Sequence, residues 1–201
     1  MREVDRFFAD GGDDALLFNY DLDSDSIVFD IGGHEGALTA GMYKKFGCNV
    51  CVYEPIAEFY RNLSLRFLGV EKIKVFNYGV GCKDEQIRFN MWGESTSAFD
   101  RSDKHQGPIE IAEVKSFATV FRESNLNMID VCSINIEGGE YGLLSHIIDE
   151  NLSPQIRNFQ IQFHDFIPNA PKKRKEIQNM LSATHKMTFS YDFVWENWTL
   201  K

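Results

Sequence analysis

Three polar residues end two late apolar runs of this chain. Asn135 and Glu137 stand in Ser133-Ile-Asn-Ile-Glu-Gly138, and His164 closes Gln160-Ile-Gln-Phe-His164. Transfer of a group to a hydroxyl needs a base for the hydroxyl proton, because an alcohol is a poor nucleophile. An unperturbed imidazole, with a pKa of about 6.5, is largely neutral at cytosolic pH, so His164 is the expected general base. Glu137 is the second candidate, as base or as the group that orients the hydroxyl. On an extended strand, positions 135 and 137 point to the same side, and the next core strand would bring His164 alongside. A satisfied strand-end histidine and a carboxylate answering a helix dipole are the structural alternatives, and Glu140 fits the second role better than Glu137. Asn135, Glu137, Glu140, His164 and Asp165 could also offer ligands to a divalent cation, but no spacing among them is diagnostic, and no metal is assigned.

Much earlier, Asp30-Ile-Gly32-Gly33-His34-Glu35-Gly36 stands where an apolar run hands over to a helical pattern. A doubly wound sheet binds nucleotides at such a turn, where glycines let a ligand approach the backbone. Glu54 ends the next apolar run about 20 residues on, where a carboxylate can accept hydrogen bonds from both ribose hydroxyls. The dinucleotide fingerprint G-x-G-x-x-G would need glycine at 32, 34 and 37, yet the chain has His34 and Ala37. Glycine at 32 and 36 suits a nucleoside with no pyrophosphate to cradle. The spacing therefore points to S-adenosylmethionine and away from NAD, with Asp30, Gly32, Gly33, His34 and Gly36 as the expected cofactor turn.

These residues need elements to hold them. From Ile27 the chain alternates short apolar runs with helical segments, the pattern of a doubly wound α/β domain with a parallel sheet. Strands are predicted at 27–31, 49–54, 74–78, 128–136 and 158–163, and helices at 34–46, from Phe59 to Leu68, at 117–122, 140–150 and 172–184. Extra strands at 86–92 and 109–114 flank a polar loop, 93–108, that contains Ser95-Thr-Ser97. An antiparallel pair, 187–193 and 194–200, closes the sheet; Trp195 and Trp198 in it read as core. Residues 1–26 read as an acidic appendage packed by Phe7, Phe8, Leu16, Leu17 and Phe18, in front of one domain at 27–201.

Composition bounds the rest. With 201 residues, 43% of them hydrophobic and 17 of them Phe, the chain can bury a core and is not disordered throughout. Its 21 basic and 30 acidic residues give a net charge of −9, which argues against a nucleic-acid binder that works by neutralising phosphates. No secretory h-region and no run long enough to span a membrane are present, so a cytoplasmic protein is expected. Four cysteines, at 48, 51, 82 and 132, are too few for a disulfide scaffold, and Cys48-x-x-Cys51 reads as buried thiols. The sequons at Asn62 and Asn197 then never meet the glycosylation machinery. Lys172-Lys-Arg-Lys175 reads as a solvated helix face.

Taken together, Val28-Phe-Asp-Ile-Gly-Gly-His-Glu-Gly36, Val52-Tyr-Glu-Pro55, Tyr78-Gly-Val-Gly81, Ser133-Ile-Asn-Ile-Glu-Gly-Gly-Glu-Tyr141 and Gln160-Ile-Gln-Phe-His164 resemble, in order and spacing, the motifs of FkbM-type methyltransferases. The resemblance covers roughly residues 25–195 and is strongest to the branch associated with surface-polysaccharide and glycan biosynthesis. It implies a Rossmann-like class I methyltransferase fold and S-adenosylmethionine-dependent methylation of a hydroxyl on a sugar, glycan precursor or other small molecule. Asp30, Gly32 and Gly36 would line the methionine end of the cofactor, Glu54 would hold the ribose, and Gly79 to Gly81 with Cys82 would lie against the adenine. Family members commonly carry Lys-Ile-Asp-Val-Glu-Gly where this chain has Ser133-Ile-Asn-Ile-Glu-Gly138, so a cofactor-binding member without transferase activity is the alternative.

Overall fold

The computed structural model describes residues 1–92, 95–97 and 108–201. After a short helix, α1 (Glu3–Ala9), strands and helices alternate: β1 (Ile27–Ile31), α2 (Ala37–Phe46), β2 (Asn49–Tyr53), α3 (Ala57–Arg66) and β3 (Ile73–Phe76). Four strands interrupt the alternation: β4 (Gly79–Gly81), β5 (Glu85–Trp92), β6 (Ser95–Ser97) and β7 (Ile109–Ser116). Then follow α4 (Phe117–Ser124), β8 (Val131–Ile134), α5 (Glu140–Asp149), β9 (Asn158–Ile161), α6 (Ala170–Leu181), β10 (His185–Tyr191) and β11 (Trp195–Leu200).

Seven strands form one sheet in the order β10-β11-β9-β8-β1-β2-β3. Its core pairings are parallel, whereas β11 runs antiparallel to both β9 and β10. This is the expected doubly wound α/β fold with an antiparallel closing strand. The order reverses at β1, which lies between β2 and β8, so a crevice opens beyond the carboxyl ends of these strands. Side chains alternate across the sheet. Phe29, Ile31, Cys132, Ile134, Phe159 and Ile161 pack against Leu144 and Ile147 of α5 and Ile177 of α6. Val28, Val50, Val52 and Val131 face Met42 of α2 and Leu63 of α3. Burial on both faces explains why these strands read as nearly continuous apolar runs.

A second sheet, in the order β4-β7-β5-β6, accounts for the extra strands predicted at 86–92 and 109–114. Ser95–Ser97 pair with β5 as a strand where a loop was expected. The rest of that polar loop, apart from Pro108, lies outside the described residues.

Several boundaries differ from expectation. Helix α2 begins at Ala37 and not at 34, because His34 (φ 46°) and Gly36 (φ 77°) hold a left-handed turn in front of it. The strand predicted over 128–136 stops at Ile134, since Glu137 (φ 48°) and Gly138 (φ 103°) turn the chain away. Helix α6 starts at Ala170 and takes Pro171 into its first turn, where a missing N–H costs nothing.

In front of β1, Phe7 and Leu17 are buried against Tyr191, whereas Phe8 is exposed, contrary to expectation. Trp198 is core, as expected. Lys172, Lys173 and Lys175 form a solvated face, but Arg174 turns inward to pair with Asp192 at 2.8 Å and Glu196 at 3.0 Å. All four cysteines are free; Cys48 and Cys132 are buried, and Cys82 is exposed. Among the described residues no helix is long and apolar enough to cross a membrane.

Candidate active site

A cavity of about 340 Å³ lies in the crevice, reached from the ends of β1, β2 and β8 and roofed by the second sheet. Gly32, His34, Glu54, Gly81, Cys82, Asn135 and Glu137 line it, each a residue singled out by the sequence. Asp30, Gly33, Gly36 and His164 do not.

The turn after β1 is built around close approaches. Gly32 has φ +90°, and a Cβ there would lie 2.1 Å from the Asn135 carbonyl oxygen, so glycine lets the ends of β1 and β8 meet. Gly33 and Gly36 make room for protein and not for cofactor: added Cβ atoms would strike Val52 at 2.2 Å and Leu63 at 2.7 Å. Asp30 is buried and accepts a 2.6 Å hydrogen bond from the Thr39 hydroxyl, tying β1 to α2 behind the turn. Burial pushes its carboxyl up to about 6, against the pull of the Thr39 bond.

Glu54 is 5% exposed and accepts the backbone N–H of His34 on one oxygen and that of Ile56 on the other, both at 2.9 Å. Burial pushes its carboxyl up to about 7, opposed by those two N–H groups. The same carboxylate thus shapes the turn and faces the cavity. The His34 ring stands edge-on to Phe59, with centroids 4.5 Å apart. His34 Nε2 and Asn135 Oδ1 are buried without a hydrogen-bond partner among the described residues, on two side chains that line the cavity.

Beyond β8, Glu137 and His164 come together as expected, although by a turn rather than along a strand. His164 Nε2 lies 3.6 Å from Glu137 Oε1, and its Nδ1 lies 3.2 Å from Glu140 Oε1. Burial works to lower the pKa of this imidazole, but the hydrogen bonds and charges of Glu137 and Glu140 outweigh it and raise the pKa to about 9. The neutral His164 expected from an unperturbed value is therefore corrected: at neutral pH it is an imidazolium. Glu140 stands in the first turn of α5, as expected of a carboxylate answering that helix's dipole. It is fully buried and binds the backbone N–H groups of Gly138 and His164.

The roof was missed. Glu85, Ile87 and Phe89 of β5 and Val114 of β7 line the cavity, and Phe59 of α3 closes one side. The alternation Glu85-Gln-Ile-Arg-Phe89 could have flagged one face of a strand. Gly81 admits Val114, whose Cγ1 would lie 2.8 Å from a Cβ at that position. Ser133 is remote from this chemistry: it is buried, does not line the cavity, and accepts a hydrogen bond from Gln160 Nε2 at 3.3 Å. The departure from the family lysine therefore leaves the cavity wall untouched.

The residues present fit S-adenosylmethionine. Glu54, Glu85 and Glu137 line the cavity, with neither Lys nor Arg among the described lining residues, which suits a sulfonium cation better than a pyrophosphate. The Glu54 carboxylate can meet a ribose, and the orphaned Nε2 of His34 and Oδ1 of Asn135 offer unmet polar capacity.

Residues 30–191 match the family model described as Methyltransferase FkbM domain. No curated protein sequence matches the chain. Among solved structures the fold is similar to the fibrillarin pre-rRNA processing protein of Methanococcus jannaschii, at 12% identity and a TM-score of 0.53, covering 89% of this chain and 67% of that one. It is also similar to the METTL16 MTase domain, at 14% identity and a TM-score of 0.54, covering 98% of this chain and 68% of that one. A third similar structure is M. capricolum TrmK in complex with S-adenosyl-homocysteine, at 9% identity and a TM-score of 0.50, covering 90% of this chain and 64% of that one. At such identities the likeness concerns the fold alone.

Proposed function

The chain belongs to the FkbM methyltransferase family, and on that premise we propose that it methylates a hydroxyl of a sugar or glycan precursor, with Glu137 as proton acceptor. S-adenosylmethionine is the cofactor. When bound it supplies an electrophilic methyl group and keeps the electron pair of the broken carbon–sulfur bond.

The observation that carries this reading is the placement of Glu137. Glu137 lines the cavity on the carboxyl side of β8, and its Oε1 stands 3.6 Å from His164 Nε2. As the acceptor oxygen bonds to the methyl carbon, its O–H bond breaks and the proton passes to a Glu137 oxygen. A hydroxyl must lose that proton, so a fixed carboxylate at this point suits oxygen methylation. Glu54 holds the cofactor end of the cavity through its links to His34 and Ile56. Ile87, Phe89 and Val114 on the roof keep water from the centre. The absence of Lys and Arg among the described lining residues favours a neutral acceptor over a phosphorylated one.

The test offers methyl-labelled S-adenosylmethionine with free sugars, nucleotide sugars and RNA as acceptors. Label on a sugar hydroxyl is the expected result. Label on RNA alone would overturn the acceptor class, and Glu137→Gln should abolish transfer while cofactor binding persists.

A further inference from the structure

The side chain of Glu140, the first residue of α5, is fully buried and binds two separate loops. Its Oε2 accepts the Gly138 N–H at 2.8 Å, in the loop after β8. Its Oε1 accepts the His164 N–H at 2.7 Å, in the loop after β9, and lies 3.2 Å from His164 Nδ1. Between these anchors sits Glu137, in a left-handed backbone conformation (φ 48°) that a non-glycine residue adopts only when its surroundings hold it there. The other ring nitrogen of His164 faces Glu137 at 3.6 Å.

We infer that Glu140 is a positioning residue: it fastens the two strand-end loops to each other, fixes the direction of the His164 ring, and through His164 orients the Glu137 carboxylate at the cavity. The inference rests on Glu137 being the proton acceptor proposed above. Its logic is that of a carboxylate behind a histidine, where the buried partner orients the ring and supports its positive charge. The groups that face His164 are Glu137 from the loop after β8, and Glu140 and Tyr141 from α5, the tyrosine hydroxyl donating to the His164 carbonyl at 2.7 Å. Asp165 follows it in the chain, and Arg174 of α6 lies over the neighbouring Phe163 ring. The only cation in this set is one residue removed from the ring, so the carboxylates dominate its field.

The experiment is an NMR titration of the His164 ring in the full chain, in the wild type and in Glu140→Gln, with calorimetry of S-adenosylmethionine binding to both. The wild-type midpoint should lie near 9. Glu140→Gln should lower it by at least about one pH unit while cofactor affinity changes less than about threefold. A wild-type midpoint near 6.5 would overturn the inference even if the variant failed to fold, and so would a variant midpoint equal to that of the wild type. Failure of the wild type to bind S-adenosylmethionine would instead overturn the proposed function, so the two failures are distinguishable.

Discussion

Removing the Glu54 carboxylate would strip the backbone N–H groups of His34 and Ile56 of their acceptors and, on the proposed reading, the ribose of its partner in one step. Glu54→Ala is expected to weaken S-adenosylmethionine binding by about 1.5–3 kcal/mol, the range for hydrogen bonds to a charged group. That is roughly 10- to 150-fold in Kd by calorimetry. Because burial holds the free carboxyl near 7, and hydroxyl donors favour its ionised form, binding should release a proton and strengthen from pH 6 to pH 8. Calorimetry in buffers of different ionisation enthalpy reads the proton directly. Gly32→Ala meets a harder limit, a positive φ and a carbonyl oxygen 2.1 Å from the new carbon. Strain and overpacking together should cost about 2–5 kcal/mol, seen as a lower Tm. The spacing from the glycine turn to Glu54 picked out Gly32, His34 and Glu54, which the structure gathers around one cavity. What it could not expose is that Gly33 and Gly36 serve Val52 and Leu63, because a glycine that admits a ligand and one that admits a neighbouring side chain look identical in one dimension.

Periodicity located the core strands and helices, because strands buried on both faces and helices of regular spacing announce themselves. It misjudged where they stop. The run Val131-Cys-Ser-Ile-Asn-Ile136 reads as one strand, but the turn at Glu137 and Gly138 that ends it depends on Glu140 and His164, contacts made after chain reversal. The segment in front of β1 shows the same limit. Its expected anchors were aromatic and aliphatic, yet Tyr20 makes its most specific link: the hydroxyl donates to Gln160 Oε1 at 2.6 Å and, with the Asn197 amide turned to satisfy its neighbours, accepts from that nitrogen at 2.8 Å. Gln160 in turn donates to Ser133, so this polar chain joins the segment to β9, β11 and β8 on the sheet. Tyr20→Phe should leave cofactor affinity unchanged and cost about 1–3 kcal/mol in denaturant unfolding, since two buried partners lose their bond. A change in cofactor affinity with intact stability would show that the segment acts on the site and does not simply brace the sheet.

At the scale of the molecule, charge is divided unevenly. Residues 1–30 carry −7 of the net −9, which leaves the rest of the chain nearly balanced. The titrations that matter for stability are nevertheless internal. Asp30 and Glu54 have carboxyls raised to about 6 and about 7, and His164 an imidazole raised to about 9. For each, the folded pKa lies above the unfolded one, so its contribution is complete below the unfolded value and lost as pH rises through the folded value. Asp30 and Glu54 therefore lose theirs between about pH 4 and 7, and His164 between about 6.5 and 9. The cofactor-free protein should be most stable on the acid side of neutrality. Above pH 7 the two carboxyls are largely spent; His164 and the thiols of Cys48, Cys51 and Cys132, which burial pushes up, carry the remaining decline, so the difference between wild type and a His164 variant reads the imidazole. From pH 7 to pH 9.5 the wild type should lose up to about 3 kcal/mol from this source, several degrees in Tm for a chain of this size, whereas His164→Gln should show a flatter curve. Parallel curves for the two proteins would mean that the His164 pKa is not raised in the fold, the result that would also overturn the role inferred for Glu140.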